Sequence, residues 1–250
     1  MKSKRITVHR LARLGAGALA TLVLVACGSG GSGTFNHPPS SGTYAGGLSG
    51  FYEGNANRTL INTDRSYWIL LGVDRANRFD QIGFVYGPNI DTKGFADGTL
   101  YDRYTPDGVM VNLNTALTSV GEQFSGNIQI RSNLQNSLFT GVPYGLNALP
   151  VAGDWFNLTD VNGSLVNLTV ANGAFSGTDS RNCSFSGQIT ATATGGFYSL
   201  SLQDANNCFR GGVTTYSGIA VTETARLPYS QQLMIAAVGN GLGISLSGVR

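Results

Sequence analysis

Residues 166–179 read VNLTVANGAFSGTD, with apolar and polar side chains alternating on both sides of Asn172-Gly173. Asn-Gly tolerates positive φ at both central positions, which the type I′ turn of a two-residue hairpin requires. A two-residue loop pairs Ala171 with Ala174, so Val170 faces Phe175 and Leu168 faces Gly177 on one apolar face. A period of two does not fit a helix, and the same alternation returns along most of the chain. The chain therefore reads as antiparallel strands joined by tight turns. Its 35 glycines and its 12% of charged residues suit that reading better than a helical one.

Other segments extend the pattern. Residues 67–73 (YWILLGV) and 79–86 (FDQIGFVY) flank a turn at 74–78 and form the most hydrophobic hairpin of the first half, so they are expected at its centre. Asp97-Gly98 and Asp107-Gly108 read as two turns bracketing a strand at 99–104. Strand signals also appear at 43–44, 58–62, 129–131 and 138–142, while 112–120 suits either a short helix or a loop. Leu149-Pro150-Val151-Ala152-Gly153 interrupts the pattern and divides the region into halves, 42–150 and 151–250. At Asn162-Gly163 a two-residue loop would turn Asn157 and Thr159 inward. A three-residue loop with a bulge at the glycine turns Phe156 and Leu158 inward instead, and burial favours it.

Gly195-Gly196, read as a two-residue turn, matches Ala193 with Tyr198, Ala191 with Leu200 and Ile189 with Leu202. Carried outward, the same register brings Cys183 opposite Cys208. A disulfide is expected there, against the competing reading of two buried free thiols, and would contribute about 3 kcal/mol in the chain-entropy model. Asn240-Gly241 folds residues 233–249 into a half-buried pair with Ile235 opposite Leu246 and Ala237 opposite Ile244. The expected fold is all-β: an antiparallel β-barrel-like (calycin-like) domain of about eight or more strands over 42–250. The alternative is two smaller packed β units.

The N-terminus carries a different signal. Lys2, Lys4, Arg5, Arg10 and Arg13 precede an apolar run from Leu14, which ends in Leu24-Val25-Ala26-Cys27. The run is too short for the ~20 residues that span a bilayer. The arrangement resembles the bacterial lipoprotein signal. That resemblance implies a signal peptide at 1–26, cleavage before Cys27, acylation of its thiol (palmitate-type lipidation), and a membrane-anchored product. Gly28 after the cysteine, with no aspartate there, resembles outer-membrane sorting in Gram-negative lipoproteins, the periplasmic or surface side staying open. Residues 27–41 form a Gly/Ser/Pro tether whose root-mean-square span as a coil is roughly 20 Å. The second half, with its GSLVNLTV segment, CSFSGQI, glycine-pair hairpin and FYSLSL, resembles uncharacterised β-rich outer-membrane lipoproteins of proteobacteria. That likeness implies no catalytic residues.

Charge narrows the function. Five of the sixteen basic residues lie in the signal, leaving eleven against fourteen acids, a net −3 that disfavours a nucleic-acid partner. The only histidine after the signal, His37, lies in the tether, so a Ser/His/Asp triad lacks its base. No phosphate-binding glycine loop is present, and no cofactor or metal is expected. Asp97, Asp102 and Asp107 recur every five residues and suit turn capping better than a calcium site. Tyr101, Arg103 and Tyr104 are the candidate ligand contacts, against the plainer reading of an edge strand. The leading expectation is a membrane-anchored lipoprotein with a soluble β-barrel serving as a non-catalytic binding or envelope-interaction module. Surface capture of a host or environmental macromolecule is one alternative, and a carboxylate-dependent glycan hydrolase is another. The membrane, through the lipid, and an envelope or host protein or glycan are the expected partners.

Overall fold

The computed structural model describes residues 50–54, 57–76, 78–91, 95–118, 123–130, 133–143, 150–160, 163–192, 197–209 and 215–250; within 114–143 only the backbone is described. Cys27, the tether and residues 43–44 lie outside the described residues. No described residue is helical. Among the described residues sixteen strands run in chain order: β1 (Gly50–Gly54), β2 (Asn57–Ile61), β3 (Tyr67–Asp74), β4 (Phe79–Gly87), β5 (Phe95–Asp102), β6 (Val109–Thr118), β7 (Gln123–Ile130) and β8 (Asn133–Pro143), then β9 (Gly153–Asp160), β10 (Leu165–Ala171), β11 (Ala174–Asp179), β12 (Ser184–Ala191), β13 (Tyr198–Gln203), β14 (Thr215–Thr224), β15 (Gln231–Gly239) and β16 (Leu242–Val249).

Each set of eight closes into its own antiparallel barrel, β1 to β8 and β9 to β16. The first is closed by Tyr52 and Glu53 of β1 against Pro143 and Val142, the second by Asp160 and Thr159 of β9 against Leu246 and Ser247. Two packed β units thus replace a single barrel, and Pro150, Val151 and Ala152 of the expected break lie between the two sheets, next to β9.

Local chemistry explains the register. Asn172 and Asn240 have φ of 52° and 46°, and the glycines that follow have φ of 78° and 81°, as type I′ turns demand. Val170 pairs with Phe175 and Leu168 with Gly177, and Ile235 pairs with Leu246 and Ala237 with Ile244. The hairpin β3–β4 is likewise central, with Ile69, Leu70, Phe84 and Val85 at most 1% exposed.

Four expectations are corrected. Asp97-Gly98 is no turn: both residues lie in the β5 ladder, opposite Asn112 and Val111, and Gly98 leaves room for the Tyr67 hydroxyl, 2.4 Å from where a Cβ would stand. Residues 112–118 continue strand β6, because its neighbours β5 and β7 supply ladder partners that a helix or loop would lack. In β12–β13 the register is two residues shorter, Ile189 opposite Leu200 and Ala191 opposite Tyr198. A slip of two keeps every side chain on its face, so the apolar match survives. In β9 the irregularity sits at Asn157 (φ 54°), not at the hairpin glycine alone, so Trp155 and Leu158 point inward while Phe156 is 61% exposed.

The core has three parts. Val85, Leu100, Val111 and Ile69 are among the side chains filling the first barrel, and Trp155, Phe175, Phe185 and Leu202 are among those filling the second. A third cluster lies between the barrels: Leu60, Trp68, Phe79, Phe84 and Tyr101 from the first, Ile219, Val221, Met234 and Ala236 from the second. β15 is therefore buried on both faces, one toward its own barrel and one toward the other, where the sequence suggests half-burial. Elsewhere the second barrel alternates cleanly, with Asn167, Thr169, Ser176, Thr178, Ser186, Gln188, Ser199 and Ser201 on its exposed face. Arg250 lies across the end of this barrel at which β9 begins. Its guanidinium sits 4.1 Å over the Trp155 ring and donates to the carbonyls of Ala152 and Pro150.

Candidate functional site

At its other end the second barrel presents the β9–β10, β11–β12, β13–β14 and β15–β16 connections, and a cavity of about 150 Å³ opens among them. Two of these connections are built alike. Residues 179–183 read DSRNC and residues 204–208 read DANNC. In each, the aspartate carboxylate accepts the backbone N–H of the cysteine four residues on, at 2.9 Å from Cys183 and 2.7 Å from Cys208. In each, the asparagine before the cysteine has positive φ (61° and 54°) and donates its N–H to the aspartate carbonyl. Asparagine is among the few residues that adopt this conformation readily, and a short acceptor side chain closes the turn.

The disulfide Cys183–Cys208 joins the two turns, with Cα atoms 5.4 Å apart. It bridges turn to turn beyond the strand ends, which is why the bond forms although the ladder is two residues shorter than the cysteine opposition implies. The turns also exchange hydrogen bonds: Asn206 Nδ2 donates to Ser184 O at 2.8 Å, and Arg181 Nη2 donates to Cys208 O. Arg181 is held further by an ion pair with Asp179 at 2.6 Å. Burial alone would raise the Asp179 pKa, but the N–H groups of Cys183 and Arg181 and the Arg181 guanidinium hold it below the ordinary value.

Aromatic rings support this end of the barrel. Phe209 packs edge-on against Phe185 at 5.1 Å and Tyr216 at 6.1 Å. Asp204 accepts the Phe209 N–H at 2.8 Å, so the same carboxylate places both the cysteine and the ring. Burial, with a smaller contribution from the Asp204 charge, pushes the Tyr216 hydroxyl up to about 12, leaving it neutral at physiological pH. Phe209, Tyr216, Leu242 and Ile244 supply the apolar side of the cavity; Asp160, Ser164, Arg181 and Ser245 supply the polar side. The carboxylate of Asp160 accepts the Ser164 N–H at 2.7 Å, which sets the β9–β10 turn.

The first barrel contributes one wall. Pro106, in the β5–β6 loop, lines the cavity, and its carbonyl accepts the Gly243 N–H at 3.2 Å. Asp102 shapes this loop by accepting the N–H groups of Tyr104 and Thr105, both at 2.8 Å. The three residues expected to form a contact cluster are separated because β5 ends at Asp102, between Tyr101 in the strand and Arg103 and Tyr104 in the loop. Tyr101 is buried between the barrels, stacked on Phe84 at 5.0 Å and pressed against Gly243, where a Cβ would stand 2.5 Å from its ring. Arg103 and Tyr104 lie exposed on the loop, Tyr104 at 86%. The cavity residues of the second barrel escape a sequence reading that looks for aromatic-basic clusters. The repeated D-x-x-N-C is the signal that would have found the turns.

Among the described residues, Cys183, Asp204 and Cys208 bring ligand-type atoms within 4.8 Å of one another. The sulfurs are bonded to each other and both Asp204 oxygens accept backbone N–H groups, so the set does not suit a metal ion. A second charged cluster bridges the barrels. Arg58 contacts Glu223 at 2.8 Å, Glu53 at 3.0 Å and Asp74 at 3.2 Å, over the Phe79 ring. Compared with known proteins, the chain matches no family model, no curated protein and no solved structure.

Proposed function

We propose that the chain is a lipoprotein held at the outer membrane through acylated Cys27, with its barrels forming a non-catalytic binding module whose site is the cavity at the disulfide end of the second barrel. The carrying observation is that this cavity is pre-organised: two aspartate-capped turns, one disulfide and a wall from the other barrel fix its rim. A preformed concave site with an apolar wall and a few fixed polar groups is the usual form of a binding pocket. The hydroxyl- and amide-rich outer face of the second barrel suits water beside the bilayer.

Capture of a host or environmental macromolecule would use the same cavity and differs only in which side of the membrane the protein faces. The hydrolase alternative is less favoured, since Asp160 is the one carboxylate among the cavity's described lining residues and glycoside hydrolysis ordinarily needs a facing pair. The test places a photo-crosslinking amino acid at Leu242 on the rim and, as a control, at Asn167 on the outer face of β10, in intact cells. A discrete adduct from position 242 alone supports the reading, and equal or absent adducts at both reject it. Labelling with radioactive palmitate is expected in the wild type and lost in Cys27→Ala.

A further inference from the structure

We infer that the cavity and the β5–β6 loop beside it form one docking face for a protein partner, and that the cavity takes a single aromatic side chain of that partner. This deepens the binding-module reading and rests on it. Size sets what can enter. A cavity of about 150 Å³ matches the volume in which an engineered protein core holds one benzene ring, whereas drug-sized ligands occupy about 300–1,000 Å³. The lining sets the character of the guest. Asp160 and Arg181 are the one acid and the one base among the described lining residues, so the lining carries no net charge to select an ion. Both are already engaged within the protein: Asp160 accepts the Ser164 N–H, and Arg181 pairs with Asp179 and donates to the Cys208 carbonyl. A neutral ring therefore takes no partner from them, and it finds Phe209, Tyr216, Leu242 and Ile244 to pack against. Phe209 and Tyr216 already meet edge-on, with centroids 6.1 Å apart, an arrangement that a third ring can join.

A ring-sized cavity alone is too small for a stable protein complex, which buries about 800 Å² per partner, so the contact must continue past its mouth. The β5–β6 loop supplies that continuation. Pro106 lines the cavity and its carbonyl accepts the Gly243 N–H, which fixes the loop to the rim. Two residues before it stands Tyr104, 86% exposed. Just past the loop Met110 is 63% exposed, its sulfur 4.0 Å from the Thr99 hydroxyl on the neighbouring strand. Arg103 is exposed beside Tyr104. Tyrosine, methionine and arginine are enriched where proteins meet, and here all three stand uncovered next to the cavity. A glycan would instead bring hydroxyls against Met110, Leu242 and Ile244, whose side chains give its hydroxyls no good partners. Asp102 accepts the Tyr104 and Thr105 N–H groups, so the loop is ordered before a partner arrives and loses little freedom on binding.

The test has two arms, both on the full chain. In vitro, N-acetylphenylalanine amide, N-acetylaspartate amide and methyl glucoside are titrated and read by saturation-transfer NMR. The phenylalanine probe is expected to bind with a Kd of about 1–10 mM and the other two not measurably, and Phe209→Ala should weaken it about tenfold or more. In intact cells, a photo-crosslinking amino acid at Tyr104 is expected to join the same partner as one at Leu242, with mass spectrometry finding peptides of one protein on both. Tyr104→Ala should cut the yield at position 242 about tenfold or more. That side chain is exposed, and an unchanged thermal midpoint shows that the loss is not unfolding. Binding of the glucoside or the aspartate probe in place of the phenylalanine probe overturns the inference, as does no binding by any probe, or a glycan in place of a peptide on position 242. An adduct at 242 without one at 104 sinks the docking face and leaves the binding module standing, while no adduct at 242 sinks both.

Discussion

Arg58 shows what a single side chain does at the seam. Its side chain is 4% exposed and meets three carboxylates, one of them, Glu223, from the other barrel. Burial chiefly raises the Glu223 pKa, against the pull of Arg58 and with the repulsion of Glu53 and Asp74; the Arg58 pKa is raised by these carboxylates although burial opposes it. An acid whose folded pKa is raised withdraws stability as pH rises through the interval from its ordinary value to its folded one. Glu223→Gln is therefore expected to change stability by less than about 1 kcal/mol at pH 7, since Arg58 keeps two partners. Arg58→Met leaves a buried carboxylate uncompensated and is expected to cost about 3–5 kcal/mol. Urea unfolding checks both, and the Arg58→Met deficit should shrink toward about pH 4 as the carboxylates protonate.

At the scale of elements, the paired D-x-x-N-C turns carry the disulfide end. Replacing both cysteines by serine is expected to cost about 2–4 kcal/mol while the β12–β13 ladder survives. Amide exchange should accelerate at 179–183 and 204–209 and stay slow at Ile189 and Leu200. Asp179 provides a pH signature with the opposite sign to Glu223. Its folded pKa lies below the ordinary 3.8, so its contribution is complete above that value and is lost as pH falls toward the folded one. Asp179→Asn should accordingly flatten the loss of stability below about pH 4, measured by denaturant titration at each pH.

At the scale of the whole molecule, the two barrels are joined as a core is, by apolar burial with its polar groups matched. Gln232 of β15 accepts the Phe79 N–H at 2.8 Å and donates to the Phe79 carbonyl, standing in for a ladder partner that β4 lacks there. Gln232→Ala removes both bonds and leaves two buried backbone groups unpaired, an expected loss of about 2–5 kcal/mol by chemical denaturation. An isolated fragment of residues 150–250 would expose Ile219, Val221, Met234 and Ala236 together. It is expected to self-associate in sedimentation velocity where the full chain does not.

Much of the second barrel was legible because its determinants are local. Asn172-Gly173 and Asn240-Gly241 dictate their turns through backbone φ, and a period of two then assigns every side chain in those hairpins to a face. Where no such turn governs the register, local pattern was insufficient: Phe156 and Trp155 are both good core residues, and only the irregularity at Asn157 selects Trp155. Asp97-Gly98 has turn composition but lies in a ladder, because hydrogen bonds from neighbouring strands outweigh a dipeptide's preference. The sequence by itself determined an all-β chain, its Asn-Gly hairpins and the cysteine pair, since each depends on residues close in the chain or on alternation. Tertiary structure alone decided that the strands close as two barrels, that β15 is buried on both faces, and that Pro106 meets the rim of the other barrel. Those outcomes depend on contacts between distant residues, which alternation along the chain does not encode.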